Sequence, residues 1–132
     1  MGSVTGKTHT ETLRKYALPT LRKFFPKNDG WFQEDNAAPH RAQVAVAFRE
    51  SQKIRCLPWP AQSPDINPIE NLWHLVKQEV YRGPKPSNLT ELETSVKRAW
   101  KAIPPEEYRR LIDSMPRRIQ AVIEAQGGPT KY

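Results

Sequence analysis

Apolar side chains recur at helical spacing near the start of the chain. Within residues 8–25 they fall at intervals that favour an amphipathic helix: Leu13, Ala17, Leu21, Phe24 and Phe25. Pro19 lies inside this run, and because proline lacks a backbone N–H we expect it to break or kink the helix into two short pieces. Residues 41–53 repeat the pattern and predict another helix, with Val44, Ala47 and Phe48 on one face and with Ala45 and Val46 widening that face.

Two short apolar runs are typical of buried strands. Trp31-Phe32-Gln33 follows the turn sequence Asn28-Asp29-Gly30, and residues 54–57 form the second run. A proline-rich stretch comes next, residues 58–68, and a loop of that length is usually functional or disordered. The strand–helix–strand–helix order predicts a small α/β unit, although two strands are few for a sheet.

The C-terminal half is predicted to be helical. Asn67 as N-cap and Pro68 at the first helical position begin a helix that runs to about Tyr81. Its apolar stripe is Ile69, Leu72, Trp73, Val76 and Val80. We expect Trp73 to pack this helix onto the sheet. Further helices are predicted over residues 90–101, opened by the capping-box pattern Thr90-Glu91-Leu92-Glu93, then over 104–113 and from Pro116 to the glycines at 127–128.

Composition excludes several classes of protein. The chain has 132 residues, the size of one domain or part of one, and no apolar run is long enough to span a membrane. The N-terminus lacks the apolar segment of a signal peptide. Cys56 is the single cysteine, which excludes an internal disulfide and a multi-cysteine zinc site. His40 and His74 have no finger-like spacing with it, so we expect no metal site from these three residues.

The formal net charge is +7, which favours a polyanionic partner but also occurs as a solubility device. Basic residues cluster in the predicted C-terminal helices, where they either form a solvated face or contact a nucleic-acid phosphate backbone. The candidates for DNA-backbone contact are Lys97, Arg98, Lys101, Arg117 and Arg118.

Two carboxylates stand in unusual settings, with 34 residues between them. Asp35 follows the first predicted strand, and Glu70 lies in the first turn of the helix after the proline-rich loop. If they lie together, they would favour a divalent cation, since Mg²⁺ prefers carboxylate oxygens. Each also has a structural alternative: Asp35 as an Asx-turn residue and Glu70 at the capping-box position.

The two sequences around these acids carry a family resemblance. QEDNAAPH, followed by WPAQSPDINPIEN, resembles the catalytic region of Tc1/mariner-family transposases on the Tc1-like branch. The resemblance implies a ribonuclease-H-like fold with a DDE triad, in which Asp35 matches the second Asp and Glu70 the third carboxylate. Three such carboxylates hold two Mg²⁺ (or Mn²⁺) ions roughly 4 Å apart for DNA cleavage and strand transfer. The near-site motif residues are Asn36, His40, Asp65, Asn67 and Asn71.

The resemblance also implies a nuclear location and contact with transposon-end and target DNA, with no membrane partner. The chain departs from the family in three respects. No residue matches the first Asp, since Asp29 lies in a turn; no helix-turn-helix domain is present; and the box reads AAP where the family has AP.

We therefore expect a partial ribonuclease-H-like α/β fold, with two short parallel strands, flanking helices and the first strands missing. Residues 1–82 are expected to form a truncated DDE core, and residues 83–132 its helical C-terminal extension. The missing Asp predicts that the chain is inactive alone, and the exposed sheet edge predicts self-association. The alternatives are a non-catalytic nucleic-acid-binding or interaction module, and a degenerate fragment with no function of its own.

Overall fold

The computed structural model describes residues 3–60 and 63–132. Packing divides the chain into two compact units, Met1–Ser63 and Pro64–Tyr132. The α-helices of the described residues are α1 (Gly6–Thr12), α2 (Leu18–Phe24), α3 (Ala38–Arg41), α4 (Gln43–Ser51), α5 (Pro68–Arg82), α6 (Leu89–Ala102), α7 (Pro105–Asp113) and α8 (Met115–Glu124). The expected division into a truncated DDE core, residues 1–82, and a helical extension, residues 83–132, stays a prediction. Two residues of the proline-rich loop, Ala61 and Gln62, lie outside the described residues.

The N-terminal run stays helical through Pro19, so of the expected break or kink the break does not occur. A five-residue π-helical stretch, Leu13–Ala17, joins α1 to α2, and the Leu18 N–H donates to the Leu13 carbonyl. This wider turn accommodates a proline near the start of α2, because proline neither donates a backbone hydrogen bond nor tolerates the carbonyl four residues before it. A reciprocal capping box between Thr5 and Thr8 begins α1.

The two predicted strands are reduced to one parallel bridge, between Phe32 and Cys56. The Phe32 N–H donates to the Arg55 carbonyl at 2.7 Å, and the Leu57 N–H donates to the Phe32 carbonyl at 2.9 Å. Within residues 3–60 and 63–132 no longer ladder forms, so the expectation of two parallel strands is not confirmed beyond this single bridge. Self-association through a sheet edge stays a prediction.

The first unit packs α1 against α3 and α4. Leu13 and Ala45 are almost completely buried there, at 2% and 0% exposure, whereas Val44 is half exposed. Of the predicted apolar face of α4, Ala45 is therefore the buried part and Val44 is not. The approach is close at Gly6, where a Cβ atom would lie 2.3 Å from the Ala42 Cβ.

The second unit is built around α5, which begins at Pro68 with Asn67 as its N-cap, as the sequence predicts. Helices α6 and α7 pack on α5 and complete a core of Leu72, Val76, Val80, Ala99, Ile103 and Leu111. Trp73 was expected to pack this helix onto the sheet. It is instead half exposed, and its ring lies 5.5 Å from that of Trp100.

Helix α6 begins earlier than predicted. Its N-cap is Asn88, whose side chain accepts the Glu91 N–H at 2.9 Å, so Thr90 is not the cap. The Glu91 carboxylate accepts hydrogen bonds from Ser87 N–H and Oγ–H, both at 2.8 Å, and these bonds lower its pKa. In the described part of the chain, no helix has the length and apolar character needed to cross a membrane.

Candidate functional site

Asp35 lies in an exposed segment between the bridge residue Phe32 and helix α3. Its Oδ1 accepts the Ala37 N–H at 2.9 Å, which forms the Asx turn that the sequence allowed. The same oxygen lies 2.6 Å from Nδ1 of His40. The carboxylate is 56% exposed, and in the described residues Oδ2 has no hydrogen-bond partner. Asp35 is therefore oriented through one oxygen and accessible through the other.

The neighbouring residue Asn36 ties this segment to the rest of the first unit. Its side-chain amide donates to the Trp59 carbonyl at 2.6 Å, and its own carbonyl accepts from Nε of Arg41 at 2.8 Å. These bonds fix the backbone on both sides of the Asx turn, so the direction of the Asp35 side chain is set by several contacts.

Directly beside Asp35 lies a polar cluster that connects α1 with α4. Nε2 of His9 lies 3.0 Å from Oε2 of Glu34, and Nη1 of Arg49 lies 2.6 Å from Oε1 of the same carboxylate. The rings of His9 and His40 are stacked, with centroids 4.1 Å apart and planes tilted by 34°. Nη2 of Arg49 also donates to the His40 carbonyl at 3.0 Å.

Burial shifts the pKa of two side chains in this region, His9 and Cys56. It lowers the pKa of His9, and the neighbouring His40 lowers it further, against the opposing effect of the Glu34 carboxylate. Burial also raises the pKa of the Cys56 thiol, which is therefore protonated at neutral pH and a poor nucleophile.

Glu70 occupies the first turn of α5 in the second unit and is exposed. Asn67 caps this helix by accepting the Ile69 N–H at 3.3 Å, so the predicted cap is present. In the described residues of this unit, the Glu70 carboxylate makes no hydrogen bond or ion pair, and the capping-box alternative is not realised. The negative charge of Glu70 thus lies at the positive end of the helix dipole, and no hydrogen bond or ion pair in the described residues of this unit holds it.

The loop that precedes Glu70 is held by Arg118 of α8. Nη1 donates to the Asp65 carbonyl at 2.7 Å, and Nη2 donates to Oδ1 of Asn71 at 2.8 Å. Nε donates to Oγ of Ser114 at 2.7 Å. Thr130 adds a hydrogen bond to Oδ2 of Asp65 at 3.0 Å. The motif residues on both sides of Glu70 are thus fixed by the C-terminal segment.

The family follows from the sequence match. Residues 3–93 match the family model described as "DDE superfamily endonuclease", and this range includes both carboxylates. The chain belongs to the DDE superfamily endonucleases. Within that family it is a Tc1/mariner-type transposase DDE domain, as its relatives indicate. It is 40% identical over 121 residues to the Tc1 transposase of Caenorhabditis elegans and, to the same extent, to the Tcb2 transposase of Caenorhabditis briggsae.

Each of these two matches covers 92% of this chain and 42% of the relative, so this DDE chain spans about two-fifths of the length of the curated relatives. The fold is that of the ribonuclease-H-like catalytic domain of Mos1 transposase. The structure of that domain with raltegravir and Mn superposes with a TM-score of 0.83 at 21% identity, covering 98% of this chain and 67% of that one.

The DDE motif residues divide between the two units. Asp35, Asn36 and His40 lie together in the first unit, joined by the contacts around the Asx turn. Asp65, Asn67, Glu70 and Asn71 lie together in the second unit around the start of α5. The expected pairing of Asp35 with Glu70 stays a prediction.

The basic residues proposed to contact DNA differ in exposure. Lys97, Arg98, Lys101 and Arg117 are exposed on α6 and α8. Arg118 is only 2% exposed, and its donors are used inside the second unit. The expectation of a phosphate contact is therefore wrong for Arg118, because its guanidinium is a structural clamp.

Sequence reasoning missed His9, Glu34 and Arg49. They come from three separate segments, and no regular spacing relates them, so only the fold brings them together. His74, from which the sequence analysis expected no metal site, is exposed on α5 beside Gln78 and lies in the other unit.

Proposed function

We propose that this chain supplies the second and third carboxylates, Asp35 and Glu70, of a two-metal DDE centre that cleaves DNA and transfers strands. The proposal is supported by the family match over residues 3–93, a range that contains both acids and the motifs QEDNAAPH and WPAQSPDINPIEN that resemble the family's catalytic region.

The chemistry of the two side chains fits Mg²⁺ or Mn²⁺. Both are carboxylates, the ligand type that hard divalent cations prefer. Asp35 keeps one oxygen accessible while the Ala37 N–H and His40 hold the other, and Glu70 is exposed without a partner in the described residues of its unit. A pair of divalent ions in such a centre activates the attacking oxygen and stabilises the leaving oxygen.

The surrounding residues of this chain position these ligands. The Asx turn and His40 orient Asp35, and Asn67 fixes the first turn of α5, which carries Glu70. Arg118 and Thr130 hold the loop before that turn. The proposed role of the motif residues Asn36, Asp65 and Asn71 is thus to keep the two carboxylates in place.

We further propose that the isolated chain does not cut DNA. Its sequence offers no counterpart of the family's first Asp, and a two-metal centre without one of its carboxylates keeps uncompensated positive charge. Since loss of even a second-shell partner typically lowers metal affinity or activity by about 10–100-fold, loss of a direct ligand has at least that effect.

A Mn²⁺-binding measurement tests whether the two acids share a site. Asp35→Asn and Glu70→Gln are each expected to weaken Mn²⁺ binding, measured by electron paramagnetic resonance, by roughly 10-fold or more. The double variant should bind no more weakly than either single variant, because removing a second ligand from one lost site has little further effect. Asp113→Asn, an exposed acid on α7, is the matched control and should leave binding unchanged.

Independent, additive effects of the two substitutions would contradict a shared centre. A cleavage assay tests the second statement: with Mg²⁺ or Mn²⁺ the purified chain is expected to leave supercoiled DNA intact. Cleavage that is abolished by Asp35→Ala would show that the chain is active without a first Asp.

A second candidate function is a non-catalytic nucleic-acid-binding module. It is favoured by the net charge of +7 and by the exposed basic side chains on α6 and α8. Such binding would be insensitive to Asp35→Asn and strongly dependent on salt. For either function, the proposed partner is DNA and the proposed location is the nucleus.

A further inference from the structure

Three potential metal ligands meet in the first unit, apart from the carboxylate pair proposed above. His9 comes from α1, Glu34 from the segment after the bridge, and His40 from α3. Each offers one ligand atom, and these atoms all lie within 4.8 Å of one another. The side chains are largely buried, with exposures of 13% for His9, 12% for Glu34 and 25% for His40.

We propose that His9, Glu34 and His40 form a binding site for a zinc-class divalent cation. Two imidazoles and one carboxylate are a donor set that suits Zn²⁺ and disfavours Mg²⁺, which takes oxygen ligands. Tetrahedral zinc places its donor atoms about 3.3 Å apart, given bonds of roughly 2.0–2.1 Å. One pair, His9 Nε2 and Glu34 Oε2, is already 3.0 Å apart, so modest side-chain rotations close the site.

The contacts around the three residues orient them as ligands. A carboxylate only accepts hydrogen bonds, so the 2.6 Å contact with Asp35 places a proton on Nδ1 of His40. This leaves Nε2 of His40 as the ring nitrogen that can bind a metal. Carboxylate–histidine–metal arrangements of this kind fix the tautomer and strengthen the ligand.

Glu34 and His9 are prepared in a similar way. Arg49 holds Oε1 of Glu34, while Oε2 faces His9, so one oxygen is available for a cation. Coordination through Nε2 of His9 requires the ring proton to lie on Nδ1, the other tautomer of the imidazole.

Charge is close to balanced around such an ion. The cation brings +2, Glu34 and Asp35 each bring −1, and Arg49 brings +1, which leaves a small positive excess. The consequence is structural: the ion would tie α1 to the segment that carries Asp35. The two proposals use different direct ligands, and they share Asp35, a direct ligand in the DDE proposal and the hydrogen-bond partner of His40 here.

The alternative is a metal-free hydrogen-bonded cluster, and the two differ in measurable ways. In a Cys56→Ser background, which removes the thiol, Co²⁺ is expected to give the visible absorption bands of a low-symmetry, histidine-bound ion. Zn²⁺ should displace it and raise the melting temperature by several degrees, whereas Mg²⁺ at the same concentration should displace none of it.

Substitution of two proposed ligands, compared with a control histidine outside the site, then locates the zinc site. His9→Ala and Glu34→Gln are each expected to weaken Zn²⁺ binding, measured by competition with Co²⁺, by more than about 100-fold, since direct ligands matter more than second-shell ones. His74→Ala, which removes the third histidine of the chain, should change the affinity by less than about twofold. Circular dichroism checks that each variant is folded. If His9→Ala does not fold, Glu34→Gln still tests the site, because glutamine has the same shape as glutamate.

Zinc affinity that is equal in the parent, His9→Ala and Glu34→Gln overturns the proposal, as does binding that His74→Ala abolishes. Asp35→Asn separates this site from the DDE proposal: it should weaken zinc only by the roughly 10–100-fold of a second-shell loss. Zinc binding that persists when Mn²⁺ binding is lost supports the His site alone, and the reverse result supports the carboxylate centre alone.

Discussion

The guanidinium of Arg118 has all three of its nitrogen atoms engaged within the second unit. They donate to Ser114 Oγ, the Asp65 carbonyl and the Asn71 side chain, and the ring of Tyr132 lies 4.7 Å from the guanidinium carbon. Burial lowers the pKa of this guanidinium, which nevertheless stays charged. A buried charge is tolerated here because each of its nitrogens is hydrogen-bonded.

Replacement of this residue is expected to destabilise the second unit. Arg118→Met should lower the free energy of unfolding, measured by urea denaturation, by about 3 kcal/mol, because buried acceptors lose charged donors. Arg118→Lys should restore only part of the loss, since an ammonium cannot reproduce the planar fork. The adjacent exposed Arg117→Met is the control and should stay within about 0.5 kcal/mol. Equal losses at the two positions would show that Arg118 is not a clamp.

At single residues, the sequence predicted what depends on near neighbours. The Asx turn at Asp35 and the N-cap at Asn67 involve atoms two residues away, and both are present. The Arg118 contacts span 47 and 53 residues, and the His9–Glu34 contact spans 25. No local pattern encodes such partners, which is why a buried arginine was taken for a phosphate ligand.

Among the elements, the start of α6 shows how a cap is chosen. Two polar residues compete, Asn88 and Thr90, and Asn88 has the extended backbone that lets its side chain reach the Glu91 N–H. Asparagine is a stronger N-cap than threonine, and capping by Asn88 places the N-cap two residues before the predicted one.

Substitution of the two candidates distinguishes them. Asn88→Ala is expected to lower the free energy of unfolding by about 1 kcal/mol, with fraying of the first turn seen as faster amide hydrogen exchange. Thr90→Ala should be neutral or slightly stabilising, because alanine is the better helix former at a position that does not cap. A larger effect at Thr90 would restore the predicted capping box.

Helices of the second unit were predictable because proline, asparagine and glycine mark their ends locally. The strands were not, since a strand exists only where another segment supplies its hydrogen bonds, and here that pairing stops at Phe32 and Cys56. The burial of α4 has a similar cause: from the predicted apolar face, close packing selects the small Ala45 and leaves Val44 outside.

For the whole molecule, the excess of positive charge is the property that a DNA partner would sense. Four of the five proposed contact residues are exposed on the C-terminal helices, and Lys97 also pairs with Glu93 at 2.5 Å. Contacts to phosphate are not sequence-specific and release bound counterions. Salt dependence, and not sequence preference, is therefore the expected signature.

Duplex DNA binding should weaken steeply with salt. If Lys97, Arg98, Lys101 and Arg117 each neutralise one phosphate, the slope of log K against log salt is about −3.6. Lys101→Gln with Arg117→Gln should make it shallower by about 2, because two contacts are lost. Lys7→Gln with Lys53→Gln removes the same charge from the first unit and should leave the slope unchanged in a filter-binding titration. Equal slopes for both double variants, or no binding at low salt, would place the DNA contacts elsewhere or exclude them.

The π-helical stretch Leu13–Ala17 sets the direction in which the side chains before it point around the helix axis. An α-helix turns by about 100° per residue, so one residue fewer in this stretch would give a regular helix whose beginning is rotated by that angle. His9 would then point away from Glu34 while α2 kept its position. A chain shortened by one residue here would form a regular α-helix, but the imidazole of His9 would face a different direction.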